Sequence, residues 1–209
     1  MPQPHTLKTT EIFSSVQGEG LRQGEPTLFI RLTGCNLKCH FCDTKYAWKG
    51  GENLKIEQIL NKVKIEQKKL PAQWVCITGG EPLIQDLKEL TEALKKMGMK
   101  IQIETNATQY QDLPVDWYTI SPKPPDYFFQ SEYTEKAREV KLVVSKELTI
   151  KVVQRLRNEF PGKIPILLQP ESNQEWSMDK GMDLLKKALR EGMKNTKVSL
   201  QMHKIYGIK

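Results

Sequence analysis

Short apolar runs alternate along the chain with segments whose apolar residues recur at helical spacing. Residues 7–16 mix Leu7, Ile12, Phe13 and Val16 with hydroxyl-bearing neighbours and read as a strand. It ends where Gln17-Gly18-Glu19-Gly20 frees the backbone, and Gly24-Glu25-Pro26 is a second turn signal. Residues 27–32, bulky and partly β-branched, form the next predicted strand. Beyond Lys49-Gly50-Gly51, the spacing of Ile56, Ile59, Leu60 and Val63 predicts a helix closed by Pro71. Residues 74–78 are a compact strand, and Leu83, Leu87, Leu90 and Leu94 predict a helix stopped at Gly98. Strands are expected over 101–105, 117–120, 139–144 and 165–168. Ile150, Val153, Leu156 and Phe160 mark one intervening helix, and 178–190 a last one, leading to 197–202 and a tail from His203.

Strands alternating with helices imply an α/β chain with a mostly parallel sheet. The polar and glycine-rich clusters all follow strands: 34–44, 78–82, 104–106, 121–123 and 169–172. In a barrel-like sheet such loops gather on one rim, where ligands bind. The strand–helix units are too few for eight-fold closure, so a partial (β/α) barrel is expected, built as a single domain over 1–209.

Composition narrows the setting. No linker, low-complexity tract or solenoid repeat interrupts the 209 residues. No apolar run approaches the about 18 residues that span a bilayer, and the opening residues lack the apolar core of a signal peptide. A cytoplasmic location without membrane attachment is expected, where thiols stay reduced. The formal charge of +7 comes from lysines spread over helical stretches, such as Lys62, Lys64, Lys68 and Lys69. Without a nucleic-acid-binding motif this reads as a solvated surface, and no direct nucleic-acid partner is expected.

The chemistry concentrates in Cys35-Asn-Leu-Lys-Cys39-His-Phe-Cys42-Asp43-Thr44. The fourth cysteine, Cys76, lies far off in an apolar run and reads as an inert core thiol. Spacing C-x3-C-x2-C leaves several readings open. A structural zinc site wants four protein ligands, and His40 is poorly placed between two of the cysteines. A redox pair needs no third thiol. A cubane iron–sulfur cluster normally takes four thiolates, so three would leave one iron open to an exogenous ligand. Gly79-Gly80-Glu81-Pro82 follows a strand; glycines there permit close approach to a ligand, and a carboxylate accepts from an ammonium group.

Together these features resemble the radical S-adenosylmethionine (SAM) superfamily: the three cysteines with Phe41 before the last, and the Gly-Gly-Glu turn in register with them. That resemblance implies a 4Fe–4S cluster on Cys35, Cys39 and Cys42, whose open iron takes the amino and carboxylate groups of SAM. The chain also resembles, over almost its whole length, the 7-carboxy-7-deazaguanine synthases of queuosine and deazapurine biosynthesis. The segments that carry this are Glu11 to Gly20, Phe29 to Leu37, Cys42-Asp43-Thr44, Thr78 to Pro82, Glu104-Thr105-Asn106, Ser121-Pro122-Lys123 and His203-Lys204. It implies a carbon–nitrogen lyase that converts 6-carboxy-5,6,7,8-tetrahydropterin to 7-carboxy-7-deazaguanine with release of ammonia.

The resemblance also implies individual roles. Thr44 would ligate Mg2+ through its hard hydroxyl oxygen, and Arg31 would pair with the substrate carboxylate. Val16, Gln17, Gly18, Thr78, Glu104, His203 and the Lys209 terminus would contact the pterin. Phe41, Cys42, Asp43, Gly80, Glu81, Ser121, Pro122, Lys123, Gln169, Pro170, Glu171 and Ser172 would contact SAM. An electron donor such as flavodoxin or ferredoxin and a homodimeric assembly are implied too. Two rivals remain: a different radical SAM enzyme such as a glycyl-radical activase, and a zinc-stabilised RNA-binding module.

Overall fold

The computed structural model describes residues 5–209; residues 1–4, which open the stretch read as lacking a signal-peptide core, lie outside the described residues. The chain forms two compact units. One comprises the residues up to Val16 together with Glu25–Thr105 and Gln109–Trp117. The other comprises Gln17–Gly24, Asn106–Thr108 and Tyr118–Lys209.

The first unit contains β1 (Thr6–Val16), β2 (Pro26–Leu32), β3 (Glu52–Lys55), α1 (Ile56–Lys69), β4 (Trp74–Gly79), α2 (Lys88–Lys96) and β5 (Lys100–Thr105). Its strand order is β3-β1-β2-β4-β5. β1 runs antiparallel to β2 and β3, while β2, β4 and β5 are parallel. The apolar run of β2 is explained by burial on both faces: Leu28, Ile30 and Leu32 are sealed on one, Thr27 and Phe29 on the other. Each such aliphatic side chain contributes about 1.5–3 kcal/mol. Ile59 and Val63 of α1, and Leu90 and Leu94 of α2, are also fully buried, as their spacing predicts.

The second unit contains β6 (Trp117–Ile120, all but its first residue), α3 (Tyr133–Lys136), β7 (Ala137–Val144), α4 (Ile150–Glu159), β8 (Ile166–Pro170), α5 (Glu175–Arg190), β9 (Thr196–Val198) and α6 (Met202–Tyr206). These strands follow the order β6-β7-β8-β9, all parallel. Thr149 caps α4, its hydroxyl accepting from the Val152 N–H at 3.4 Å.

The expected α/β class and mostly parallel strands hold, with three departures in detail. The helix expected from Leu83 begins only at Lys88, after a 3-10 turn at Pro82–Ile84. Side chains capture the intervening backbone: Gln111 donates to the carbonyls of Leu83 (3.0 Å) and Gln85 (2.7 Å) and accepts from the Leu87 N–H (3.0 Å). β3, α3 and α6 have no apolar periodicity to announce them. α5 starts at Glu175, three residues before the expected 178.

Candidate functional site

The three-cysteine loop leaves the end of β2 and is pinned by backbone bonds. The Gly34 N–H donates to the Ala47 carbonyl (2.8 Å), and the Gly34 carbonyl accepts from the Glu81 N–H (2.7 Å). The Gly-Gly-Glu turn after β4 is thereby docked on the start of the loop. Gly80 is required there, because a Cβ would overlap the Gly34 carbonyl and come within 2.8 Å of the Cys35 Cβ. Cys35, Cys39 and Cys42 are all half-buried and none is in a disulfide, and the Cys42 N–H closes a turn onto the Cys39 carbonyl (3.1 Å). Cys35 Sγ accepts from the Leu37 N–H at 3.4 Å. Burial pushes the Cys35 thiol up, against that bond, and Glu81 and the other two cysteines push it further.

Among the described residues, no three His, Cys, Asp or Glu side chains converge as ligands of one metal ion would. A cubane puts each thiolate on a different iron, so it does not need that convergence. Three neighbouring half-buried thiols on an irregular loop fit a three-cysteine cluster better than a closed tetrahedral zinc site. Phe41, Asp43 and Thr44 complete the loop. The hydroxyl of the half-buried Thr44 donates to Asp43 Oδ1 (2.9 Å), which keeps its lone pairs available to a hard cation.

Upstream on β2, Arg31 faces Glu11 of β1 and Thr78 of β4 in register. Its Nε donates to Glu11 Oε1 at 2.8 Å, and the same oxygen accepts from the Tyr46 hydroxyl at 3.0 Å. The Phe13 and Tyr46 rings lie 5.8 and 5.9 Å from the guanidinium carbon. Burial pushes the Tyr46 hydroxyl up, so it stays protonated and able to donate. Glu81 is fully buried, its Oε1 accepting from the Thr105 hydroxyl (2.7 Å) and the Leu83 N–H (3.1 Å). Glu104 receives a 3.8 Å contact from the sealed Cys76 thiol. Val16 ends β1.

The second unit holds the remaining candidates. Gln17 is buried, its amide oxygen accepting from the Glu19 N–H (3.1 Å). Gly18 lies under the His203 ring, which a Cβ would overlap, and its carbonyl accepts from the Met202 N–H (2.8 Å). Glu19 pairs with the buried Lys141 and accepts from Gln201 Nε2 (2.7 Å). Asn173 clamps Gln201 through its amide nitrogen (2.9 Å) and oxygen (3.1 Å), and Lys204 donates to Ser172 Oγ (2.8 Å). Gln17, Gly18, Ser172 and His203 are therefore neighbours in one bonded network. The Ser121 hydroxyl donates to the Lys141 carbonyl (2.7 Å), and Lys123 donates to the Ser121 carbonyl (2.8 Å) beside Pro122.

Gln169 and Pro170 are buried at the end of β8, with Glu171 next. The Gln169 amide oxygen has no hydrogen-bond partner among the described residues. An orphaned buried acceptor suits a ligand that brings N–H or O–H groups, as SAM does. Lys209 is exposed. Sequence reading missed Glu11, Tyr46, Glu19, Glu139, Lys141, Asn173 and Gln201. For Glu139 and Lys141 a signal existed, two opposite charges at alternate positions in the otherwise apolar run 139–144; Glu139 is sealed, accepting from the Thr119 hydroxyl and the Leu21 N–H, both at 2.7 Å.

The sequence matches the radical SAM superfamily over residues 29–180. It is 36% identical to a 7-carboxy-7-deazaguanine synthase of Aquifex aeolicus, covering 97% of this chain and 94% of that one. It is 34% identical to the Escherichia coli K12 protein of the same name, covering 95% and 97%. The crystal structure of QueE from Escherichia coli is similar with a TM-score of 0.77 and 31% identity, covering 95% of each chain. Streptococcus suis SuiB bound to precursor peptide SuiA is similar in fold alone, at a TM-score of 0.57 and 16% identity. The fold is the partial barrel of radical SAM type expected from the sequence. The chain belongs to the radical SAM superfamily and, within it, to the 7-carboxy-7-deazaguanine synthase family.

Proposed function

We propose that this family member is a carbon–nitrogen lyase that makes 7-carboxy-7-deazaguanine from 6-carboxy-5,6,7,8-tetrahydropterin and releases ammonia. Superfamily membership brings a 4Fe–4S cluster on three cysteines and SAM; Cys35, Cys39 and Cys42 are the residues that would hold the cluster. When bound, the cluster and SAM would supply an electron and a 5′-deoxyadenosyl radical for hydrogen abstraction from the substrate.

The protein's own task is positioning and exclusion of water, since a radical step develops little charge to stabilise. The observation that carries the reading is Arg31, an arginine fixed along its ε edge by Glu11 on the strand that leads into the cysteine loop. A guanidinium held in this way offers a planar fork to a carboxylate. Thr44 would hold the Mg2+, which would supply positive charge to a carboxylate. Gln17, Gly18, His203, Thr78, Glu104, Val16 and the Lys209 terminus are proposed to meet the mixed donor and acceptor edge of the pterin. Gly80, Glu81, Phe41, Cys42 and Asp43, with Ser121, Pro122, Lys123 and Gln169 to Ser172, are proposed to meet SAM. The reading also treats 1–209 as one catalytic domain, fed electrons by a flavodoxin or ferredoxin in the cytoplasm and assembled as a homodimer. Among the described residues no helix is long and apolar enough to cross a membrane.

Anaerobic loading with iron and sulfide tests the cofactor assignment: the protein should turn brown and bind about four irons, and Cys39→Ala should lose that absorbance. A colourless protein that binds one zinc would contradict it.

A further inference from the structure

α6, the helix that carries His203, runs only from Met202 to Tyr206, too short to hold together alone. Its place therefore depends on what grips the chain just before it. Gln201 stands there, 5% exposed, and its side chain does not cap the helix. The amide turns to Glu19 instead, Nε2 donating to Oε1 at 2.7 Å. The backbone of the same residue is gripped by Asn173, whose Oδ1 accepts from the Gln201 N–H (3.1 Å) and whose Nδ2 donates to the Gln201 carbonyl (2.9 Å). One buried residue thus joins the loop after β8 to the turn at 17–19.

Both ends of that link are fixed. Ser172 and Asn173 are consecutive non-glycine residues in the left-handed region, with φ of 51° and 54°. Such backbone persists where its surroundings over-determine it. The two bonds between Asn173 and Gln201, and the bond from Lys204 Nζ to Ser172 Oγ (2.8 Å), supply that determination. At the other end Glu19 pairs with the buried Lys141 of β7, which ties it to the sheet. The Glu19 N–H donates to Gln17 Oε1 (3.1 Å), and the Met202 N–H donates to the Gly18 carbonyl (2.8 Å). Because Glu19 is a carboxylate, the bond it accepts from Gln201 is charge-assisted.

We infer that Gln201 is a positioning residue for the reaction: it couples the loop 169–173 to the turn 17–19, so that ordering one orders the other. This rests on the reading that sets SAM at Gln169 to Ser172 and the pterin at Gln17-Gly18. SAM then settles the loop after β8, and the settled loop, through Gln201 and Glu19, holds the pterin-facing turn ready. Cutting the link leaves both sites in place and removes the communication between them.

Anaerobic titration calorimetry on the cluster-loaded protein, with Mg2+ and without reductant, tests this. The Kd of 6-carboxy-5,6,7,8-tetrahydropterin is measured with and without saturating SAM. In the wild type SAM should tighten pterin binding by about fivefold or more. Gln201→Ala leaves the backbone bonds to Asn173 and should bring that ratio toward unity. Gln201→Glu opposes two carboxylates and should do the same. The double variant E19Q/Q201E exchanges donor and acceptor while keeping an oxygen toward Lys141, and should restore the ratio. Hydrogen exchange gives a second readout: SAM alone should slow the amides of 17–20 in the wild type and not in Q201A. A wild-type ratio of unity, a Q201A protein that weakens pterin binding equally with and without SAM, or a double variant no better than Q201E overturns the coupling and leaves both sites standing. A wild type that binds no carboxypterin overturns the underlying reading and the coupling with it.

Discussion

Arg31 and Glu11 stand opposite each other across the antiparallel β1–β2 pair, joined by a 2.8 Å bond from Nε to Oε1, each side chain 17% exposed. Tyr46 closes on the same carboxylate oxygen, so one acid fixes both the azimuth of the guanidinium and the ring that flanks it. An ion pair this sheltered orders a side chain more than it stabilises the fold.

Substitutions at this pair should therefore separate substrate recognition from cofactor chemistry. Arg31→Lys keeps the charge but loses the planar fork, and the KM for the carboxypterin should rise by about tenfold or more, the worth of one charge-assisted bond. Glu11→Gln should raise it less and Glu11→Ala more. Steady-state kinetics, with SAM cleavage and iron content as controls, checks this: KM should move while cluster loading does not.

Gly80→Ala should disturb the cysteine loop itself. The added methyl meets the Gly34 carbonyl and the Cys35 Cβ, neither of which is the far end of a flexible side chain. Iron content after anaerobic loading should fall at least severalfold, while Gly98→Ala serves as a control: a Cβ there meets nothing, although its positive φ costs about 1 kcal/mol.

The sheet and its strand-end loops were legible because burial on both faces leaves short apolar runs such as residues 28–30 and 74–77. The cysteine loop was legible because three thiols within eight residues stand out in the sequence, while their assignment to a cluster came from the family resemblance. The supports were not: strand pairing sets Glu11 opposite Arg31, and Tyr46, 35 residues from Glu11 in sequence, reaches the same carboxylate from the 3-10 turn Lys45–Trp48. The 83–94 segment misled for a related reason. Leu83 and Leu87 are buried as a helical face would be, yet side-chain bonds from Gln111, 24–28 residues away, hold that backbone in another form.

Gly18→Ala should strain the loop against His203 and weaken pterin binding, with KM rising at least severalfold. The double variant G18A/H203A removes the overlapping ring. Its melting temperature should recover in part relative to G18A, since the Cβ of residue 203 still lies 2.9 Å from the added methyl, whereas its KM should not if His203 meets substrate. Calorimetry and kinetics on the same samples separate the two effects.

The acid limb of stability should depend on Glu66. Lys69 at 2.6 Å holds its carboxyl below the ordinary 4.5, opposed by burial and aided by the Ser14 hydroxyl at 2.9 Å. A carboxyl with a lowered folded value binds fewer protons folded than unfolded, so its stabilisation is present above about pH 4.5 and lost as pH falls through the folded value. Glu66→Gln should cost about 1 kcal/mol at neutral pH, and its denaturation midpoint should fall less steeply than the wild type's below pH 4.5.

Anaerobic turnover with SAM, a low-potential reductant, Mg2+ and 6-carboxy-5,6,7,8-tetrahydropterin tests the central claim most directly. The account predicts 7-carboxy-7-deazaguanine and ammonia in equal amounts from the iron-loaded wild type, and neither from Cys39→Ala. A wild type with its cluster fully loaded that cleaves SAM but leaves the carboxypterin unchanged would contradict it.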